Sequence, residues 1–185
     1  MKAKEKVIKL AKAKYSKDDY RYHIIPVVKN SEILAKKTGA NLEVVEVAAY
    51  LHDIAGLQGL RENNHHIEGA EKAVKILGEL GYEEDFIKQV EHCILTHRGR
   101  GYLEPKTKEA KVVASADAMA HFDTFLDLFR FFLEKLESFE ETVEVIEGKM
   151  ERDWERKLIL PEAKEMIKEK YDAVNLIIKS MKKYM

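Results

Sequence analysis

The apolar residues of this chain return every three or four positions almost from end to end, and no stretch reads as a strand. That period fits helices alone, so the sequence predicts an all-α protein. The pattern is longest in the last third. Phe122, Phe125, Phe129, Phe132, Leu136, Phe139, Val143 and Ile146 follow one another at helical spacing, and so do Ile167, Tyr171, Val174, Ile178, Met181 and Met185. Between the two stripes, Leu160-Pro161-Glu162 places a proline where a helix starts. The expectation is a long C-terminal helical hairpin over 122–185, packed on a helical domain over 1–121 or used in a homodimer.

The earlier helices are marked by their ends. A first helix runs over about 2–14, and Ser16 with Asp19 resembles a capping box, so a second helix or turn is expected to start there. Pro26 is tolerated only near a helix beginning, so the next helix is expected from there to about Lys37, closed by Gly39. Asn41 caps a helix whose stripe is Val44, Val47, Ala48, Leu51 and Ile54, ended by Gly56 and Gly59. After a polar loop over 56–64, a helix over about 64–80 stops at Gly81. Another, through Phe86, Val90 and Ile94, reaches Thr96. The loop 97–105 leads into a helix with Val112, Val113, Ala116 and Ala120.

Composition narrows the function. With 32 basic and 33 acidic residues among 185, the net charge is -1 and gives no support to a DNA-binding surface. No run approaches the roughly 20 apolar residues that span a bilayer. The basic amino end precedes no long apolar run and is not a signal peptide. The single cysteine, Cys93, fits a reducing cytoplasm and sits on an apolar helix side as core.

Chemistry concentrates in the histidines and two aspartates. His52 and Asp53 stand side by side at the polar end of an apolar helix. Imidazole nitrogen and carboxylate oxygen suit divalent metals such as Zn, Mn, Fe or Mg. A bland reading makes His52 a last-turn residue near the helix dipole and Asp53 a solvated carboxylate. His23 lies in an apolar segment, where a buried imidazole needs a partner: a metal, Asp53 or a carbonyl. Asp117 sits among Val112, Val113, Ala114, Ala116, Ala118 and Ala120. A carboxylate there is not left unpaired. Its partner is either a metal, the preferred reading, or a cation such as Lys111 or an arginine of another helix. His65 and His66 open a helix, where the dipole disfavours imidazolium. With His92 and His97 they are candidates for a second metal or a substrate phosphate. Arg98, Arg100, Lys106 and Lys108, with Arg21 and Arg61, are candidates to bind phosphate. His121 is expected to be an ordinary histidine. No Gly-x-x-x-x-Gly-Lys loop and no His-Glu-x-x-His occurs.

Histidine, then His-Asp, then further histidines, then aspartate, all on helices, resembles the HD-domain superfamily of metal-dependent phosphohydrolases over about 18–121. The stretches that carry the resemblance are His23-Ile24-Ile25-Pro26-Val27, Ala48-Ala49-Tyr50-Leu51-His52-Asp53-Ile54, His65-His66-Ile67-Glu68-Gly69-Ala70, Val90-Glu91-His92-Cys93-Ile94-Leu95-Thr96-His97, and Thr107 to Val113 with Ala116-Asp117. The resemblance implies a metal quartet of His23, His52, Asp53 and Asp117. It places His65, His92 and His97 at a second metal or the substrate phosphate, with His66 able to replace His65. One or two ions of Mn, Fe, Co, Ni, Zn or Mg would activate water against a phosphomonoester or phosphodiester, nucleotide-like in the leading guess. Asp53, His65 and His92 would act in catalysis. The sequence departs from the family where Ala118-Met119 follows Asp117, and Gly101-Tyr102-Leu103 does not supply the Gly-Tyr-Pro of cyclic-dinucleotide phosphodiesterases. A di-iron oxygenase of the same superfamily and a non-catalytic nucleotide-binding or dimerisation domain are the alternatives. A substrate pocket is expected between the loops 56–64 and 98–106.

Overall fold

A computed structural model describes residues 2–56, 65–99 and 103–185, and the described residues are helical, without strands. The order is α1 (Ala3–Lys14), α2 (Lys17–Asp19), a π turn (Tyr20–Ile24), α3 (Ile25–Thr38), α4 (Leu42–Leu51), α5 (His65–Glu79), α6 (Glu84–Thr96), α7 (Lys108–Asp123), α8 (Phe125–Leu133), α9 (Phe139–Arg152), a second π turn (Asp153–Lys157) and α10 (Pro161–Lys182). The expected ends hold where local chemistry sets them. Asn41 accepts from the amides of Glu43 and Val44, and Thr107 accepts from Ala110. Gly39 and Gly81 take φ of 69° and 77°, where a Cβ would be strained.

Helix α7 is the axle of the fold. Every residue from Val112 to Phe122 is buried, as expected of a helix apolar on all sides. The small side chains Ala114, Ser115, Ala116, Ala118 and Ala120 let α3, α4, α6 and α10 close around it. One continuous core runs from Val7 in α1 through Ile178 in α10, so the expected boundary at residue 121 falls inside α7.

One expectation is extended and one corrected. The helix start expected at Ser16 is present, its hydroxyl accepting from the Asp19 amide at 3.0 Å, and Pro26 stands in the first turn of α3 as expected, but the helical backbone runs on from α2 into α3. Its run passes through the π turn, in which the Ile25 amide reaches back to the Tyr20 carbonyl. This wider turn accommodates a proline that an α-helical interior would reject. The first arm of the expected hairpin is not one helix. It breaks at Thr124 (φ -120°) and again before Ser138, whose hydroxyl caps α9 by accepting from Glu141. The stripe runs on across both breaks because the pieces lean on the same core, through Phe125, Phe132, Val143 and Ile146. Helix α10 starts at Pro161 as expected and packs on α7 and α9.

Candidate metal centre

Five segments converge beside the middle of α7. His23 comes from the first π turn, His52 and Asp53 from the end of α4, His65 from the start of α5, and His97 from the end of α6. Asp117 and His121, one helical turn apart on α7, complete the ring. His52, Asp53, His65, His97, Asp117 and His121 are all buried. Gly69 eases the convergence. A Cβ there would come within 3.3 Å of the His52 carbonyl oxygen, a tight contact that glycine avoids where α5 meets the His52-Asp53 turn.

Asp53 is the hinge of the arrangement, with one oxygen for each side. Its Oδ2 lies 3.3 Å from Nε2 of both His23 and His52. Its Oδ1 lies 3.6 Å from Nε2 of both His65 and His97. On the first side, Asp117 Oδ1 is 3.4 Å from His23 Nε2 and 3.9 Å from His52 Nε2, and the two imidazole nitrogens are 3.1 Å apart. Ligands held about 2.0–2.2 Å from one ion stand about 3–3.5 Å from each other. On the first side His23, His52 and Asp53 match that cage, while the 3.9 Å from His52 to Asp117 and the 3.6 Å separations of the second side are wider. The donor atoms form three groups able to hold an ion: His23, His52 and Asp53; Asp53, His65 and His97; and His23, Asp117 and His121.

The imidazole tautomers point the same way. His52 Nδ1 faces the Ala49 carbonyl at 2.8 Å, and His97 Nδ1 faces the Ile94 carbonyl at 2.6 Å. A carbonyl only accepts, so each Nδ1 carries the proton and donates it. Burial lowers the His97 pKa to about 3 despite Asp53, so its Nε2 is a bare lone pair aimed at a carboxylate oxygen. Two acceptors facing each other across a buried gap call for a cation between them. At His52 burial also opposes charge, but Asp53 and Asp117 outweigh it and raise the pKa to about 9. The same positive surroundings overcome burial and hold both Asp53 and Asp117 well below the usual carboxylate range, with His52 leading at Asp53 and Lys157 at Asp117.

Other expected residues stand apart. His66 is half-buried, and its Nδ1 has no hydrogen-bond partner among the described residues. His92 belongs to none of the three groups, because its Nε2 accepts from the Lys106 amide at 3.1 Å. Lys106 and Lys108 are exposed. Arg21 is exposed, with its guanidinium over the Tyr22 ring and beside Lys12 and Lys17. Arg98 is close enough to His65 and His66 to help burial lower both pKa values. Arg61, Arg100 and most of the two loops expected to line a pocket lie outside the described residues.

Three residues of the centre escape the sequence reading. His121, expected to be ordinary, stacks on His23 with ring centroids 5.3 Å apart and has Nε2 3.5 Å from Asp117 Oδ1. Its Nδ1 donates to Asp153 at 2.8 Å. Among the described residues the cation that bonds Asp117 is not Lys111. It is Lys157, which bonds Asp117 Oδ2 and lies 4.0 Å from Asp153. Burial opposes the Lys157 charge, but the two aspartates raise its pKa above the ordinary value. The available signal was the four-residue step from Asp117 to His121, which puts both on one helix face. Asp153 and Lys157 show the same step, but it reads as a solvated surface pair.

A helical bundle that buries a cage of imidazoles and carboxylates defines a class: all-α proteins with a histidine–aspartate centre able to hold divalent metal. A family model of the HD domain matches residues 20–121, more than half of the sequence, and the chain belongs to the HD-domain family. Ribonuclease Y of Symbiobacterium thermophilum is 30% identical over 128 residues, which make up 68% of this chain but 23% of that relative. The chain thus spans under a quarter of ribonuclease Y. Bacillus subtilis YpgQ shares the fold with a TM-score of 0.76 at 17% identity, over 99% of this chain and 95% of YpgQ. YpgQ in complex with ADP gives 0.72 at 17% identity, over 98% and 97%. No helix among the described residues is long and apolar enough to cross a membrane.

Proposed function

We propose that the chain is a metal-dependent phosphohydrolase acting on a phosphomonoester or phosphodiester of nucleotide type. The observation that carries this reading is the split carboxylate of Asp53, one oxygen toward His23 and His52 and the other toward His65 and His97. His23, His52, Asp53 and Asp117 would hold one ion, and Asp53, His65 and His97 a second. The metal, when bound, supplies a hydroxide near neutral pH and charge to steady the phosphoryl oxygens.

The chain's own residues set the conditions for that chemistry. His52 and His97 give up their Nδ1 protons to backbone carbonyls and keep Nε2 for the site. Asp53 holds the two halves of the cluster in register and can accept a hydrogen bond from an attacking water. Arg98, whose charge reaches His65 and His66, is our candidate to pair with a phosphate. His92 is half-exposed, and its Lys106 bond would have to open before it could meet a leaving group. The nucleotide preference is supported by the fold shared with YpgQ, which binds ADP, and by the similarity to ribonuclease Y.

The test is hydrolysis of a panel of nucleotides and short oligoribonucleotides by chelator-treated protein, with Mn, Co, Ni or Mg restored one at a time. Metal-dependent release of phosphate, pyrophosphate or nucleotide is expected, and Asp53→Ala should lose it with the fold retained. Turnover in that variant near the wild-type rate, or no hydrolysis with any metal, would overturn the reading.

A further inference from the structure

The second π turn lies outside the stretch that matches the family model, yet it touches the centre twice. Lys157 takes Oδ2 of Asp117. That leaves Oδ1, the oxygen nearest His23, His52 and His121, turned to the cluster. Asp153 takes the other contact, at His121 Nδ1.

The bond from His121 to Asp153 fixes more than a ring angle. Asp153 is ionised, because Lys149, His121 and Lys157 outweigh burial and hold its pKa below the carboxylate range. An ionised carboxylate accepts only, so the His121 proton resides on Nδ1. The donor atoms of His23, Asp117 and His121 all lie within 4.8 Å of one another. With its proton on Nδ1, a neutral His121 ring shows the Nε2 lone pair to Asp117 Oδ1 at 3.5 Å. That separation is the one found among the other donor atoms of the cage. An ordinary buried histidine would be satisfied by Asp153 at one nitrogen and by a donor at the other. Here the other nitrogen meets an acceptor.

We propose that His121 is a further ligand of the metal held by His23, His52, Asp53 and Asp117, and that Asp153 is the positioning residue that aims it. A carboxylate bonded to the far nitrogen of a ligating imidazole fixes its orientation and raises its basicity. Asp153 stands in that relation to His121. The proposal rests on the metal reading above and adds a donor to it from α7, with support from a segment about thirty residues downstream.

Zinc is diamagnetic, so heteronuclear NMR of the imidazole nitrogens in the full chain reports each ligand separately. On zinc saturation the Nε2 resonances of His23, His52 and His121 are expected to move together, while His121 Nδ1 stays protonated. The His121→Asn variant assigns the signal and should bind zinc more weakly. Asp153→Asn keeps the ring and should lower zinc affinity about ten- to a hundredfold, with a smaller His121 shift. If the His23 and His52 signals move and the His121 signal does not, the proposal is overturned and the metal reading stands. If none of the three moves, both are overturned. The wild-type measurement decides the matter even if either variant fails to fold.

Discussion

His52 and His97 occupy the same place on two different helices: each follows the last helical residue and donates its Nδ1 proton to the carbonyl three residues back, at Ala49 and Ile94. Carbonyls at a helix end have no partner within the helix, so the bond costs the helix nothing and fixes the ring. The two imidazoles then serve opposite oxygens of Asp53. Replacing His97 by Ala should remove one ion per chain and leave the His23–Asp117 side loaded. Replacing His52 should empty that side first. Elemental analysis of dialysed protein should find each variant with about half of the wild-type metal, and unchanged metal content in either would contradict the split.

Asp53→Asn keeps the shape of the bridge and removes its charge. Because both halves of the cluster depend on that charge, loss is expected in metal content and in rate. The fall in kcat should be on the order of a hundred- to a thousandfold, the scale seen when a group that stabilises transition-state charge is removed. Kinetics at saturating metal test this. Full recovery at high metal would reduce Asp53 to a binding role.

Acid should weaken the metal-free protein well before its carboxylates protonate. His97 and His121 have pKa values lowered by burial to about 3 and about 4, against 6.5 in an unfolded chain. Below 6.5 the unfolded chain takes up protons that the folded protein refuses, so stability falls as pH drops from 6.5 toward 4. His52 acts in the opposite direction and elsewhere: raised to about 9, its contribution is complete below 6.5 and is lost as pH rises through 9. Thermal melts in chelator should therefore show Tm declining on both sides of about 6.5. His121→Leu should flatten the acid side, and a level Tm across that range in the wild type would refute the assignment.

Ser115 is buried on α7, facing the connection between the second π turn and α10. Its hydroxyl donates to the Lys157 carbonyl at 3.3 Å and accepts from the amides of Ile159 and Leu160 at 3.2 and 3.3 Å. Ser115→Ala removes all three bonds; the Ile159 amide still donates to the Lys157 carbonyl at 2.8 Å, but the Leu160 amide loses its partner, at a cost of about 1–3 kcal/mol. For a chain of this size that is a drop in Tm of roughly 2–4 °C per kcal/mol. Because Lys157 leaves from the same turn, metal affinity should fall as well. A loss of stability with metal binding unchanged would separate the turn from the centre.

The helices were readable because their apolar spacing and their caps agree, as at Asn41 and Thr107. The split of the first hairpin arm was not read, although Ser138 with Glu141 three residues on is a helix-start signal. The unbroken stripe hid it, since separate helices on one core keep one apolar rhythm. His23, His52, Asp53 and Asp117 were legible because charged or ligating groups inside apolar runs need partners. Asp153 and Lys157 were hidden for the reverse reason: they lie in a strongly charged segment, where nothing in the sequence separates a buried pair from a solvated one. The run-on from α2 into α3 was not read because a π turn is a local widening with no residue signature of its own.

The second π turn also bears on where this protein can be cut. A fragment ending at residue 121 would contain every residue that the family model matches. It would lack the ammonium of Lys157, leaving the Asp117 carboxylate buried without its counter-ion, and it would strip His121 of the acid that orients it. Charge balance thus sets a minimal unit extending past Lys157, some thirty-six residues beyond the edge of the family match, and a shorter piece is expected to bind metal poorly or to collapse.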